Sequence, residues 1–311
     1  MRRVAGANGV TSWKDPEIAG VRALLAARQP DPGAPPPTYA ERRASMDAMG
    51  EMGALPTGCF HEPQAMGGVK CERVVPQGAV AGRTILYLHG GGYTAGSPRS
   101  HRPMVARIAE AAKAVAIVVD YRLGPENRFP AAVEDAVAVY RALIEWRIDP
   151  AKLIVAGDSA GGGLAMALAL ALKTEDLPQP AGFFAISPWA DLTQSGASYR
   201  TKADSDPTIT KAGLDNAALA YLGGLDARDP LASPVLGDFE GVAPVLIQTG
   251  SEEALLSDSL TLADVLAHAR VDIRLEVWPE MIHVFHAWGG ALQAARRAIR
   301  VAGAWMDERM V

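Results

Sequence analysis

The chain has 311 residues, a formal net charge of −5 and a pI near 5.7, with 49% hydrophobic and 21% charged residues. That is length enough for one large core with room for a small appendage, and the intermixed acids and bases form no basic surface of the kind that holds nucleic acid. The longest apolar run, 164–172, is far short of the ~20 residues that span a bilayer, and Arg2 and Arg3 are followed by no apolar stretch, so a cytoplasmic protein without membrane attachment is expected.

In chain order, residues 15–28 read as a short helix running into Asp31-Pro32-Gly33-Ala34-Pro35-Pro36-Pro37, which cannot continue it. A second amphipathic helix follows at 39–52, with Met46, Met49 and Met52 on one face, expected to pack on the main body or to line an apolar pocket. Cys59 and Cys71 are expected as reduced thiols. From Val69 onward, apolar and β-branched runs at 84–88, 115–119, 153–156, 183–186, 245–249 and 273–277 read as strands covered on both faces. Helical stretches at 103–113, 131–146, 160–173, 255–269 and 292–309 alternate with them. This rhythm predicts an α/β fold built on a mostly parallel, doubly wound sheet. Between Trp189 and Ala243 it breaks: a stretch rich in Asp, Ser, Gly and Pro has one clear helix, at 211–222. An insertion there, at the carboxyl end of a strand, is where a lid over a ligand site belongs.

Two glycine-rich motifs carry the chemistry. His89-Gly90-Gly91-Gly92 follows one strand, and Gly157-Asp158-Ser159-Ala160-Gly161 joins the strand 153–156 to the next helix. With 31 glycines in the chain, G-x-S-x-G arises by composition about 0.13 times, so alone it is weak; HGGG arises about 0.006 times, so the pair in this order is specific. Serine attacks a carbonyl only when a base takes its proton and donors stabilise the oxyanion. A strand–Ser–helix turn presents the Ser159 hydroxyl, and the N–H groups of Gly91, Gly92 and Ala160 are the expected oxyanion donors.

The base must come from six histidines, at positions 61, 89, 101, 268, 283 and 286. In the chain order nucleophile, acid, histidine it lies after Ser159. His268 falls within a helical run, whereas His283 sits on a loop at the carboxyl end of the strand 273–277, and His286 is expected to pack or cap a helix. The acid that orients the imidazole is sought after the strand 245–249, where Glu252, Glu253 and Asp258 are all candidates; the chemistry of the residues alone does not choose among them. No cysteine–histidine pair has metal-ligand spacing and no phosphate-binding loop occurs, so neither a metal nor a cofactor is expected.

From His89 to the C-terminus, and more loosely through the N-terminal arm, the chain resembles the bacterial branch of the hormone-sensitive-lipase family of esterases. The resemblance rests on both motifs and on Asp120-Tyr121-Arg122-Leu123-Gly124-Pro125-Glu126 with Phe129-Pro130-Ala131. Ser187-Pro188-Trp189, Asp229-Pro230-Leu231-Ala232-Ser233-Pro234 and Met281-Ile282-His283 complete it. It implies the α/β-hydrolase fold with a helical cap, divided as 1–60 (N-terminal arm of the cap), 61–188 (core), 189–240 (cap insertion) and 241–311 (core). Where the family carries an aspartate in Asp-Pro-Leu-x-Asp-Glu, this chain reads Glu253-Ala254-Leu255-Leu256-Ser257-Asp258, which puts Glu253 at the acid's position. The resemblance further implies a serine carboxylesterase for short- to medium-chain esters and points to a homodimer, for which the edge strand 273–277 is available. His89 is expected to brace the oxyanion loop, Asp158 to support its own turn, Arg122 and Glu126 to be structural, and Trp189 to be core. A small-amide hydrolase with the same triad is the alternative reading, and a non-catalytic ligand-binding relative is disfavoured by the presence of His283.

Overall fold

The computed structural model describes residues 16–27, 33 and 35–311. Met1 to Val10, the ends of the first expected helix at Asp15 and Arg28, and Asp31, Pro32 and Ala34 lie outside the described residues.

Eight strands form one sheet, in the order β1 (Phe60–Met66), β2 (Val69–Val75), β4 (Val115–Val119), β3 (Thr84–Leu88), β5 (Leu153–Asp158), β6 (Gly182–Ile186), β7 (Val245–Gly250) and β8 (Ile273–Trp278). β3 to β8 run parallel, while β2 is antiparallel to both β1 and β4. Every residue of β3, β5, β6 and β7 is buried, which is why these strands read as unbroken apolar runs. Helices α3 (Pro98–Ala112) and α9 (Gln293–Arg309) cover one face, and α4 (Ala131–Glu145), α5 (Ala160–Thr174) and α8 (Leu256–His268) cover the other.

Two departures from the sequence reading are instructive. The hairpin β1–β2 has no alternating pattern because β1 is an edge strand, exposed over most of its length and carrying Pro63, which an edge tolerates. Helix α3 begins five residues before Pro103, at Pro98, because Ser97 closes a capping box there and proline suits a first helical turn.

The N-terminal arm contributes α1 (Pro16–Ala27) and α2 (Tyr39–Glu51). Ile18 and Val21 of α1 pack against Met281, Ile282 and Phe285, the loop that carries His283. The methionine face of α2 does not supply its packing: Met49 and Met52 are exposed, and the helix instead meets α3 at Gly50, where a Cβ would fall 2.4 Å from the Arg99 carbonyl oxygen. Arg43 of the same helix donates to the backbone oxygens of Thr94 and Gly124 and to Glu126.

The segment 189–240 holds α6 (Ser198–Thr201) and α7 (Lys211–Leu222) and touches loops at the carboxyl ends of the strands. Ala217 of α7 faces Gly92 after β3, Ala220 and Tyr221 meet Gly124 after β4, and Ser198 and Asp206 bond the loop after β7. Cys59 and Cys71 are free thiols. Among the described residues, no helix is long and apolar enough to cross a membrane.

Candidate active site

Ser159 sits between β5 and α5 at φ 54°, ψ −122°, a left-handed backbone that a serine adopts at a cost of about 1–3 kcal/mol. Its own backbone restrains it: its N–H donates to Ile186, and its carbonyl oxygen accepts from Gly163 and Trp189. The glycines of the motif are required by close approach. A Cβ on Gly157 would lie 2.2 Å from the Gly161 oxygen, and one on Gly161 would lie 2.0 Å from the Leu88 oxygen at the end of β3. The turn is therefore pressed against the strand that leads into the HGGG loop.

His283 comes from the loop after β8, and its Nε2 is 3.0 Å from Ser159 Oγ. Its Nδ1 is 3.1 Å from Oε2 of Glu253, on the loop after β7. A carboxylate can only accept, so Nδ1 carries the proton toward Glu253 and Nε2 is left to accept from the serine hydroxyl. Glu253 is fully buried, and its other oxygen accepts from the Thr249 hydroxyl. Burial alone would lower the proton affinity of His283, but the hydrogen bond and charge of Glu253, helped by the charges of Asp206 and Asp158, raise it above the ordinary imidazole value. Val284, next in the chain, takes φ 47° and donates its N–H to Ser187 Oγ, which fixes the loop.

The two other acid candidates are engaged elsewhere. Glu252 pairs with Lys202 at 3.1 Å. Asp258 accepts from the N–H groups of Ala190 and Asp191 and from the Tyr199 hydroxyl. His286 is buried and packs on Phe285 and Phe184 while bonding Gln248, and its side chain is driven down to about 3 by burial, so it stays neutral. The His268 side chain is exposed.

Opposite the serine, Gly91 and Gly92 adopt φ 123° and 63°, bending the chain so that the Gly91 oxygen turns inward to accept from Thr94 and Ala95. Among the described residues, no hydrogen bond within the chain occupies the N–H of Gly91, Gly92 or Ala160. His89 is neutral, its affinity for a proton lowered to about 3 by burial and by the neighbouring His101. It stacks on Tyr121 at 4.2 Å, and Tyr121 donates to its carbonyl oxygen.

Asp158 does more than support its own turn, and it acts with His101 and Tyr87, to which the sequence assigns no role. Asp158 reaches across to the HGGG loop, with Oδ1 accepting from Gly90 N–H at 3.1 Å and from the Tyr87 hydroxyl at 2.9 Å, and Oδ2 lying 3.3 Å from His101. Burial opposes both charges, yet each partner's charge outweighs it: Asp158 is held below and His101 above its ordinary value. A buried aspartate–histidine contact thus braces the base of the loop, with Gly90 N–H also 3.2 Å from His101 Nε2. The aspartate of the elbow motif was a usable signal; a histidine 57 positions before it was not.

A serine on a sharp strand–helix turn, an imidazole and a buried carboxylate on successive carboxyl-end loops, and a glycine loop with open N–H groups are the layout of an α/β-hydrolase. Comparison with known proteins agrees. A family model described as the alpha/beta hydrolase fold matches residues 85–287. The chain is 48% identical over 225 residues to an acetyl-hydrolase of Streptomyces hygroscopicus, covering 72% of this chain and 75% of that one. It is 35% identical over 287 residues to the putative acetyl-hydrolase LipR of Mycobacterium tuberculosis, covering 92% and 91%. The crystal structure of an esterase from the bacterial hormone-sensitive lipase family superimposes with a TM-score of 0.92 at 38% identity, over 96% of this chain and 100% of the other. The chain belongs to this family, the bacterial hormone-sensitive-lipase-like esterases of the α/β-hydrolase fold.

Proposed function

We propose that Ser159, His283 and Glu253 are the triad with which this chain, a serine carboxylesterase, hydrolyses short- to medium-chain esters through an acyl-enzyme. Ser159 Oγ attacks the ester carbonyl as its proton passes to His283 Nε2. The tetrahedral oxyanion is met by the N–H groups of Gly91, Gly92 and Ala160, the last at the positive end of α5. Collapse expels the alcohol, which takes the proton from His283, and leaves the acyl group on Ser159. Water then attacks that carbonyl, gives its proton to His283, and the acid departs as the proton returns to Ser159. Glu253 holds the imidazole in the required tautomer and balances its charge throughout. The N-terminal arm, expected over 1–60 and containing α1 and α2, and the insertion 189–240 serve as the cap. No step calls for a metal or cofactor. The free thiols fit a reducing, cytoplasmic setting, and the edge strand β8 is available for pairing two copies.

The observation that carries this reading is the unbroken chain from Ser159 Oγ to His283 at 3.0 Å and from His283 to Glu253 at 3.1 Å. Ser159→Ala is expected to lose p-nitrophenyl butyrate turnover by at least about 10³-fold and to lose all labelling by a fluorophosphonate. A folded Ser159→Ala protein with the parent's turnover would overturn it.

A further inference from the structure

One buried carboxylate side chain near the site has no part in the mechanism above. Asp206 lies in the cap segment between α6 and α7 and is 7% exposed. Its Oδ1 accepts from the N–H groups of Thr208 and Ile209 and from the Thr208 hydroxyl, closing its own turn. Its Oδ2 reaches 48 positions along the chain to the N–H of Ala254, at 2.8 Å. Ala254 is the residue after Glu253.

We propose that Asp206 is a positioning residue for the His283–Glu253 pair: it holds the acid-bearing loop by its backbone while placing a second buried carboxylate beside Glu253 in the chain's fold, so that docking of the cap completes the catalytic charge arrangement. The proposal rests on the reading of His283 as base and Glu253 as its acid. A neutral acceptor would satisfy the Ala254 N–H equally well, and the same loop shows this: Ser198 donates to the Ala254 oxygen and accepts from Ser257 N–H without any charge. Burying a carboxylate is expensive unless several donors compensate it, and Asp206 has four. The carboxylates whose charge raises the proton affinity of His283 are Glu253 from the loop after β7, which also bonds it at 3.1 Å, then Asp206 from the cap segment and Asp158 from the elbow. The nearby charges are otherwise engaged. Lys202 pairs with Glu252 at 3.1 Å, and Arg22 of α1 donates to the Ser205 oxygen at 2.7 Å. The imidazolium formed in the transition state is therefore stabilised from the cap as well as from the core.

The test compares Asp206→Asn, Asp206→Glu and Ser198→Ala with the parent, reading kcat and KM for p-nitrophenyl butyrate against pH, with Tm as a measure of folding. Asp206→Asn is expected to lower kcat about tenfold with KM within about twofold, and to move the acid limb of kcat/KM to lower pH. Asp206→Glu keeps the charge and is expected to keep the parent's limb. Ser198→Ala, which loosens the same loop without a charge change, is expected to lower Tm and leave the limb in place. An Asp206→Asn protein with unchanged kcat and limb overturns the proposal, as does one whose loss is equal at every pH and matched by Ser198→Ala. Should Asp206→Asn not fold, an Asp206→Glu protein whose limb moves down overturns it alone. Ser159→Ala and His283→Ala assayed alongside separate the two readings: if they are inactive while Asp206→Asn behaves as the parent, only the role of Asp206 falls.

Discussion

Glu253 carries one methylene more than the aspartate its family commonly places there, and the structure accommodates it by drawing the carboxylate fully out of solvent onto Thr249. Burial strengthens the attraction between this carboxylate and the imidazolium it faces. Glu253→Gln keeps the shape, removes the charge, and offers an amide to whichever imidazole nitrogen can accept. It is expected to lower kcat about 10²–10⁴-fold. The sign of the pH effect follows from the base. His283 must be neutral to take the serine proton, and its proton affinity lies above the ordinary value of 6.5. Activity is therefore full at high pH and falls as pH drops through a value above 6.5. In Glu253→Gln the hydrogen bond and charge that do most to raise it are gone, so the residual activity's acid limb should lie at lower pH than the parent's, as kcat/KM profiles would show.

Between neighbouring elements the decisive contact is α5 against β3. Gly157 and Gly161 allow the first turn of α5 to lie on the Leu88 oxygen, and Asp158 then spans from β5 to the HGGG loop while Tyr87 of β3 closes the bridge. Gly161→Ala would place a Cβ 2.0 Å from the Leu88 oxygen, which is backbone and cannot rotate away. The expected result is a loss of about 1–3 kcal/mol of stability, seen as a Tm lowered by several degrees, together with reduced turnover because the oxyanion loop is displaced with the strand. A Gly161→Ala protein with the parent's Tm and kcat would contradict this account of the motif.

Across the molecule, the segments proposed as the cap meet each half of the proposed machinery. Ala217 of α7 sits over the oxyanion loop, with the carbon a Cβ on Gly92 would occupy only 3.3 Å from its own Cβ, while Ser198 and Asp206 grip the loop of Glu253 and α1 packs on the loop of His283. Ser159 and His283 are each 8% exposed, and on the proposed reading substrate reaches them beneath these segments. On that reading, a cap closed over the nucleophile suits short acyl chains in solution better than an emulsion interface. In a p-nitrophenyl ester series from acetate to dodecanoate, kcat/KM should peak between butyrate and octanoate. Highest turnover on emulsified long-chain triglyceride would contradict that geometry.

The parallel strands and the helices between them could be read from the chain because a strand covered on both faces must be apolar throughout and a helix on such a sheet must keep its stripe. The elbow and the HGGG loop could be read because close backbone approach admits only glycine, and that demand falls on consecutive residues. The β1–β2 hairpin could not, since an exposed edge imposes no pattern on its side chains. Neither could the choice of Glu253 from residue chemistry alone, nor the bridge from Asp158 to His101, nor the reach of Asp206 to Ala254. Those depend on which groups, tens of residues apart, the fold brings within hydrogen-bonding reach of one another, and a carboxylate's chemistry is the same wherever it stands until its neighbours and its solvent are known.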